Sequence, residues 1–204
     1  DGKRSQNCVF RNIYVTDVAD KGLDIRSNFA VLENCWVHRA GSDASPVSGC
    51  GIAVTQFPPF DNSAIPVANR KGQTQLANCL AEDCGGHGFE IHAAETADDV
   101  VSRVELTNCI ARGNAGSGYW HENSSPPDAK TMFANCLAEN NGAHGFHFNV
   151  DAETNNRATY AGCWAVGNAL SGFYDDGGAG LEGCLYVGCR AEGNADHGFL
   201  TDTP

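Results

Sequence analysis

Residues 135–146 read Asn-Cys-Leu-Ala-Glu-Asn-Asn-Gly-Ala-His-Gly-Phe, and the same skeleton returns along the whole chain. Its Asn-Cys pair aligns with Asn34-Cys35, Asn78-Cys79 and Asn108-Cys109 upstream. Downstream it aligns with Gly162-Cys163 and Gly188-Cys189, and Asn12-Ile13 is the first member of the series. The second residues of these pairs lie 22, 44, 30, 27, 27 and 26 positions apart. The closing Gly-Phe recurs as Gly22-Leu23, Gly51-Ile52, Gly88-Phe89, Gly118-Tyr119, Gly172-Phe173 and Gly198-Phe199. Nine residues separate anchor from glycine in six units and sixteen in the second, which carries an insertion. Such self-similarity marks a solenoid.

Three more columns say which kind. Phe10, Leu32, Leu76, Leu106, Phe133, Tyr160 and Tyr186 stand three residues before the anchors. Val15, Val37, Ala81, Ala111, Ala138, Ala165 and Ala191 stand two after. Asn114, Asn141, Asn168 and Asn194 stand five after, with Cys84 breaking the run. Short apolar segments of period two, divided by Asn and Gly, read as strands joined by tight turns. No unit has room for a helix. The fold expected is all-β, a right-handed parallel β-helix of about seven coils. Identical side chains then stack ~4.8 Å apart, and stacked Asn amides can bond up the stack. The glycine before each third strand is expected to serve a bend needing permissive dihedrals.

The 204 residues suit a single domain, 1–204, with a long loop insertion at 55–72. Both terminal coils are bare, which reads as part of a longer chain or of an assembly covering them. A net charge of −12 argues against nucleic acid and anionic membrane as partners. No apolar run approaches the ~18 residues of a membrane span. The cysteines of the anchor column read as a ladder of interior thiols, because stacked side chains point one way and do not converge on a metal.

The pattern N-C-x-A-x-x-N-x-x-x-G-F resembles the parallel β-helix repeat of the pectate-lyase-like superfamily over essentially the whole chain. That resemblance implies the fold and little more. The superfamily holds polysaccharide lyases, glycoside hydrolases, uronan epimerases, phage tailspikes and non-catalytic surface proteins. No motif peculiar to one enzyme family is present, so no catalytic residue carries over, and function has to be read from the site.

Alternation along the third strand gives two outward columns. The first reads Asp24, Ala53, Glu90, Trp120, His147, Tyr174 and Leu200; the second reads Arg26, Thr55, His92, Glu122, Asn149, Asp176 and Asp202. Carboxylates and imidazoles supply acid–base chemistry, and aromatic faces supply platforms for sugar rings. Glu122, His147, Glu90, Asp176 and His92 are the candidate catalytic residues. Trp120, Tyr174, Asp24, Arg26 and Asn149 are the candidate substrate-binding ones. Glu122 and Asp176 fall two rungs apart, ~9.6 Å, near the ~6.5–9.5 Å spacing of inverting glycosidases.

Inward on this strand, His121 and Asp175 are out of place; the strand is expected to end before them, the alternative being that they are buried polar groups needing partners. The turn histidines His87, His144 and His197 read as structural bonds to a neighbouring coil. The loop with Phe57 and Phe60 is expected to wall the groove. No cofactor or metal is expected; Asp175-Asp176-Gly177-Gly178 offers oxygens for Ca²⁺ but reads first as a turn. Asn123-Ser124-Ser125 is a sequon with meaning only in a glycosylating host.

Immediately after the anchors come Tyr14, Trp36, Leu80, Ile110, Leu137, Trp164 and Arg190, outward by alternation. An apolar stripe of that length reads as buried against something, a homotrimer foremost or a covering segment from elsewhere in a longer chain; an inverted in/out register is the alternative. The function expected is an extracellular or surface β-helix that binds, and as lyase or hydrolase cleaves, a polysaccharide. The alternatives are a non-catalytic tailspike-like or adhesin-like module and a purely architectural solenoid.

Overall fold

The computed structural model describes residues 8–27, 29–41, 49–55, 71–93, 101–123, 130–150, 157–176 and 184–202. Within them the chain winds through three parallel sheets of seven strands, one strand of each per coil. The first sheet holds β1 (Cys8–Arg11), β4 (Phe29–Glu33), β7 (Lys71–Ala77), β10 (Val101–Thr107), β13 (Lys130–Ala134), β16 (Arg157–Ala161) and β19 (Leu185–Val187). The second holds β2 (Tyr14–Val18), β5 (Trp36–Ala40), β8 (Leu80–Glu82), β11 (Ile110–Arg112), β14 (Leu137–Glu139), β17 (Trp164–Val166) and β20 (Arg190–Glu192). The third holds β3 (Leu23–Ile25), β6 (Ile52–Thr55), β9 (Phe89–Ala93), β12 (Tyr119–Asn123), β15 (Phe146–Val150), β18 (Phe173–Asp176) and β21 (Phe199–Thr201). Registers follow the sequence columns: Leu80, Ile110, Leu137 and Trp164 pair in one line, as do Trp120, His147 and Tyr174.

Two turn columns set the corners. Asn12, Asn34, Asn78, Asn108 and Asn135 all have φ of 52–54°, and Gly162 and Gly188 take the same place at 62°. Left-handed backbone explains why Asn and Gly alternate here and nothing else does. A second left-handed position follows, filled by Asp17, Arg39, Asp83, Gly113, Asn140, Gly167 and Gly193. Arg39 tolerates it under a two-point ion pair to Asp17, with Nε–Oδ1 at 2.6 Å and Nη2–Oδ2 at 2.8 Å.

The glycines before the third strands differ from what the sequence suggests. None has a left-handed φ. Their need is space: a Cβ on Gly118 would lie 2.8 Å from the Gly145 carbonyl oxygen, 2.8 Å from Asn141 Nδ2 and 3.0 Å from Ala138 Cβ. Gly88 against Ala111 and Gly145 against Ala165 repeat this at 2.9 Å. Glycine on one coil and alanine on the next are two halves of one close contact.

Beside that contact runs the interior Asn ladder. Asn114 Nδ2 donates to Asn141 Oδ1 at 2.9 Å, Asn141 to Asn168 at 2.9 Å and Asn168 to Asn194 at 2.8 Å. Each oxygen also accepts the previous coil's backbone N–H, and each amide reaches back to an alanine carbonyl, as Asn141 Nδ2 does to Ala111 O. The rest of the core is aromatic. Phe89, Tyr119, Phe146, Phe173 and Phe199 stack in parallel with centroids 4.6–4.9 Å apart, and Phe133, Tyr160 and Tyr186 form a second stack meeting the first edge-on. None of the ten cysteines is in a disulfide. Those of the anchor column give their thiols to backbone carbonyls, as Cys109 does to Thr107 O and Leu76 O.

The in/out register at the second strand is as the alternation predicts, since Val37, Ala81, Ala111, Ala138 and Ala165 are fully buried. Tyr14, Trp36 and Trp164 on the opposite side are 55%, 41% and 40% exposed. At the third strand the expectation fails. β12 and β18 continue through His121 and Asp175, each 1% exposed, because both find a partner inside: Thr131 Oγ1 at 2.9 Å from His121 Nε2, and the Cys184 N–H on Asp175 Oδ2 at 3.0 Å.

These two Asn columns respond differently to mutation. Urea unfolding should show Asn141→Ala losing about 2–4 kcal/mol, since it strands buried donors and a carbonyl. Asn108→Gly should stay within ~0.5 kcal/mol, as its side chain is exposed and glycine suits the same φ.

Candidate functional site

The outer face of the third sheet is fed by two sources. One is the outward column of the strands. The other is the turn column just before the glycines: Lys21, Cys50, His87, Ser117, His144, Ser171 and His197. Alternation alone does not show that these turn side chains reach over the strand face, and here they do.

On β9 and β12 a chain of charges forms. Lys21 Nζ donates to Glu90 Oε1 at 3.2 Å. The same oxygen meets His92 Nε2, and His92 Nδ1 lies 2.9 Å from Glu122 Oε2. An imidazole bonded at both nitrogens to carboxylates donates twice, so it is an imidazolium. Burial opposes charge on His92, but the Glu90 hydrogen bond and the two carboxylates raise its pKa above the ordinary value. Burial likewise pushes Glu90 up, yet His92 and Lys21 together hold it at about 2. Glu90 is only 7% exposed and Ala53 is fully buried, so this part of the column, outward by alternation, is covered. Glu122 is the open end of the chain, its side chain 37% exposed.

The aromatic residues are half-covered by turn histidines. His87 stacks on Trp120 at 5.3 Å and 5° while its Nδ1 accepts the Ser117 N–H at 3.0 Å; His92 meets the same indole edge-on. Two coils on, His144 stacks on Tyr174 at 4.6 Å while its Nδ1 accepts the Ser171 N–H at 3.2 Å. The Tyr174 hydroxyl donates to Asp202 at 2.8 Å. Trp120 and Tyr174 are therefore half-buried, each with one face backed by an imidazole. His147 lies between them in register, and its Nε2 is buried with no partner among the described residues. Burial first, then His144 and His87, lowers His147 to about 4; burial lowers His87 and His144 as well.

Asn149 and Asp176 continue the Glu122 column over the next two rungs. Asp24 and Arg26 do not join the group. They lie on β3, two strands from β9 and three from β12, and pair with each other at 2.8 Å. Asp175 points inward and Asp176 outward, so the two do not converge on one cation. No cluster of three or more His, Cys, Asp or Glu with metal-holding geometry exists among the described residues. The Phe57–Phe60 loop, the sequon serines and Gly177-Gly178 lie outside the described residues. A separate groove on the first sheet, lined by Val9, Phe29, Val31, Gln73 and Gln75 with Cys8 and Ala30, offers no acid–base pair.

The family model for the right-handed beta helix region matches residues 3–203. The chain belongs to the right-handed β-helix family. No curated protein and no solved structure matches it.

Buried imidazoles give this β-helix a definite acid response. His121 is fully buried between Phe133 and Phe148, and burial holds its pKa at about 3. A folded pKa below the unfolded value of ~6.5 means the unfolded chain takes up the proton first. Its contribution is complete above pH ~6.5 and declines as pH falls towards 3. Between pH 7 and 4.5 the loss from His121 should be about 2–3 kcal/mol. His121→Phe combined with Thr131→Val, which removes the imidazole and its bonded hydroxyl together, should lose that much less over the same interval. Equal losses in both proteins would show that His121 is not the neutral buried group described.

Proposed function

We propose that the outer face of the third sheet binds a polysaccharide lengthwise across the rungs and cleaves it at Glu122. The observation that carries this reading is the Glu90–His92–Glu122 chain beside Trp120 on an open sheet face. A carboxylate fixed by an imidazolium, which is itself fixed by a second, buried carboxylate, is the arrangement of an oriented acid–base group. Glu90 and His92 then act as positioning groups and Glu122 as the reacting one.

Trp120 and Tyr174 lie two rungs apart, ~9.6 Å, close to one disaccharide repeat, and their uncovered surfaces can pack on alternate sugars. Asp176 stands at the same two-rung distance from Glu122, near the carboxyl spacing of inverting hydrolysis. In that reaction Glu122 takes a proton from water as its oxygen joins the anomeric carbon. Asp176 protonates the departing glycosidic oxygen. Asn149, on the rung between, is the group that would bond a sugar hydroxyl, while the buried Nε2 of His147 is turned away from it. A substrate of this size puts the protein outside the cell or on its surface.

A second reading, a non-catalytic assembly module, is favoured by the outward Tyr14–Trp36–Leu80–Ile110–Leu137–Trp164 stripe on the second sheet, exposed at Tyr14, Trp36 and Trp164 and half-buried between. Its occupant would be a second and third copy of this chain, packed side by side. Light scattering at micromolar concentration should then report a trimer, and Trp36→Glu with Trp164→Glu should release monomers of unchanged circular dichroism. A monomeric parent protein would remove this reading.

For the first reading, a glycan array followed by reducing-end assay on the hits is the test. Trp120→Ala should weaken glycan binding by ~1–3 kcal/mol with little change in melting temperature. Glu122→Gln should keep binding and lose turnover. Retention of a glycan without cleavage by the parent protein would leave a binding module, and no retention at all would remove the carbohydrate reading.

A further inference from the structure

We propose that this face selects an uncharged glycan and rejects uronate chains. The inference rests on the glycan reading above and concerns its substrate class. A uronate chain needs cations, and the described cations of this face are spent. Lys21 is paired with Glu90, Arg26 with Asp24, and His92 with Glu90 and Glu122. His197, at the end of the turn column, is paired with Asp196 at 2.9 Å. The turn imidazoles stacked on Trp120 and Tyr174 offer no charge either. His87 and His144 each accept a backbone N–H at Nδ1, which fixes the neutral form, and burial favours that form for His147 too.

The acids point the other way. Glu122 is partly exposed, and Asp202 lies beyond it, bonded to the Tyr174 hydroxyl and to no cation among the described residues. A polyanion laid along these rungs meets the like charge of Glu122 and Asp202. A neutral chain meets carboxylates as hydrogen-bond acceptors for its hydroxyls, imidazole nitrogens as donors and acceptors, and two half-open rings. The chemistry follows suit. β-Elimination needs a cation to neutralise the uronate carboxylate, and the described side-chain cations of this face are already paired, whereas hydrolysis needs one carboxylate and one carboxylic acid.

The test is affinity electrophoresis of the full chain at pH 7 with chelator, in gels containing hydroxyethylcellulose, galactomannan, xyloglucan or dextran, against gels containing polygalacturonate or alginate. At least one neutral polymer should retard the protein at least tenfold more strongly than either uronan. That retardation should be insensitive to salt between low and physiological ionic strength, and any cleavage should give reducing ends without the ultraviolet absorbance of an unsaturated uronide. Trp120→Ala should abolish the retardation. Stronger retardation by polygalacturonate or alginate at low salt, suppressed by added salt, would overturn the inference while leaving a glycan-binding face in place. Retardation by none of the polymers would overturn the glycan reading and this inference with it.

Discussion

The contact between a glycine on one coil and an alanine on the next governs this molecule. Where Gly118 approaches Ala138, and Gly145 approaches Ala165, there is no room for a methyl group. Closing that gap brings the interior Asn side chains within bonding distance of the next coil on both sides. The coils must then stack in register, and every other residue finds its own column repeated at the strand spacing. The parallel aromatic stacks, the thiol ladder and the left-handed Asn/Gly corners are consequences of that one constraint. It also gives the outer faces a ruler: a side chain's height along the groove is set by its coil number.

The same regularity lets the interior carry polar groups. The buried amides of Asn114, Asn141 and Asn168 bond to the next coil and to backbone, which removes the cost of burying them. His121 and Asp175 use the allowance less completely, each leaving one buried atom without a partner. At the outer face the arrangement turns into electrostatics. Glu90 is buried because Lys21, from the first coil, reaches across to it, and that buried charge in turn holds His92 against Glu122. The exposed end of a chain anchored at its buried end is a good place for chemistry.

Much of this is legible in the sequence, for a definite reason. A solenoid writes each three-dimensional column as a sequence period, so anchor, glycine, Asn and aromatic columns can be read by alignment alone. The apolar stripe beginning at Tyr14 and Trp36 was visible in the same way. What the columns do not give is the size of gaps between them. The glycines look like bend residues in sequence and prove to be spacers, because φ and crowding leave the same mark. Nor does alternation show which side chain of another coil lies over a given one. Glu90, Trp120 and Tyr174 read as open, while Lys21, His87 and His144 partly cover them. The turn column that holds these three shows in sequence through its histidines and serines; its position one residue before the glycine, where the chain rounds onto the third sheet, is the signal that finds Lys21.

The central claim is that His92 is an imidazolium held between Glu90 and Glu122, and nitrogen-resolved magnetic resonance of the histidine rings reads it directly. At pH 7 both ring nitrogens of His92 should carry protons, while His121 and His147 each show one unprotonated nitrogen. Glu122→Gln should move the His92 transition to lower pH, because one of its two carboxylate partners is gone. A neutral His92 at pH 7, with one bare nitrogen and no response to Glu122→Gln, would contradict the account.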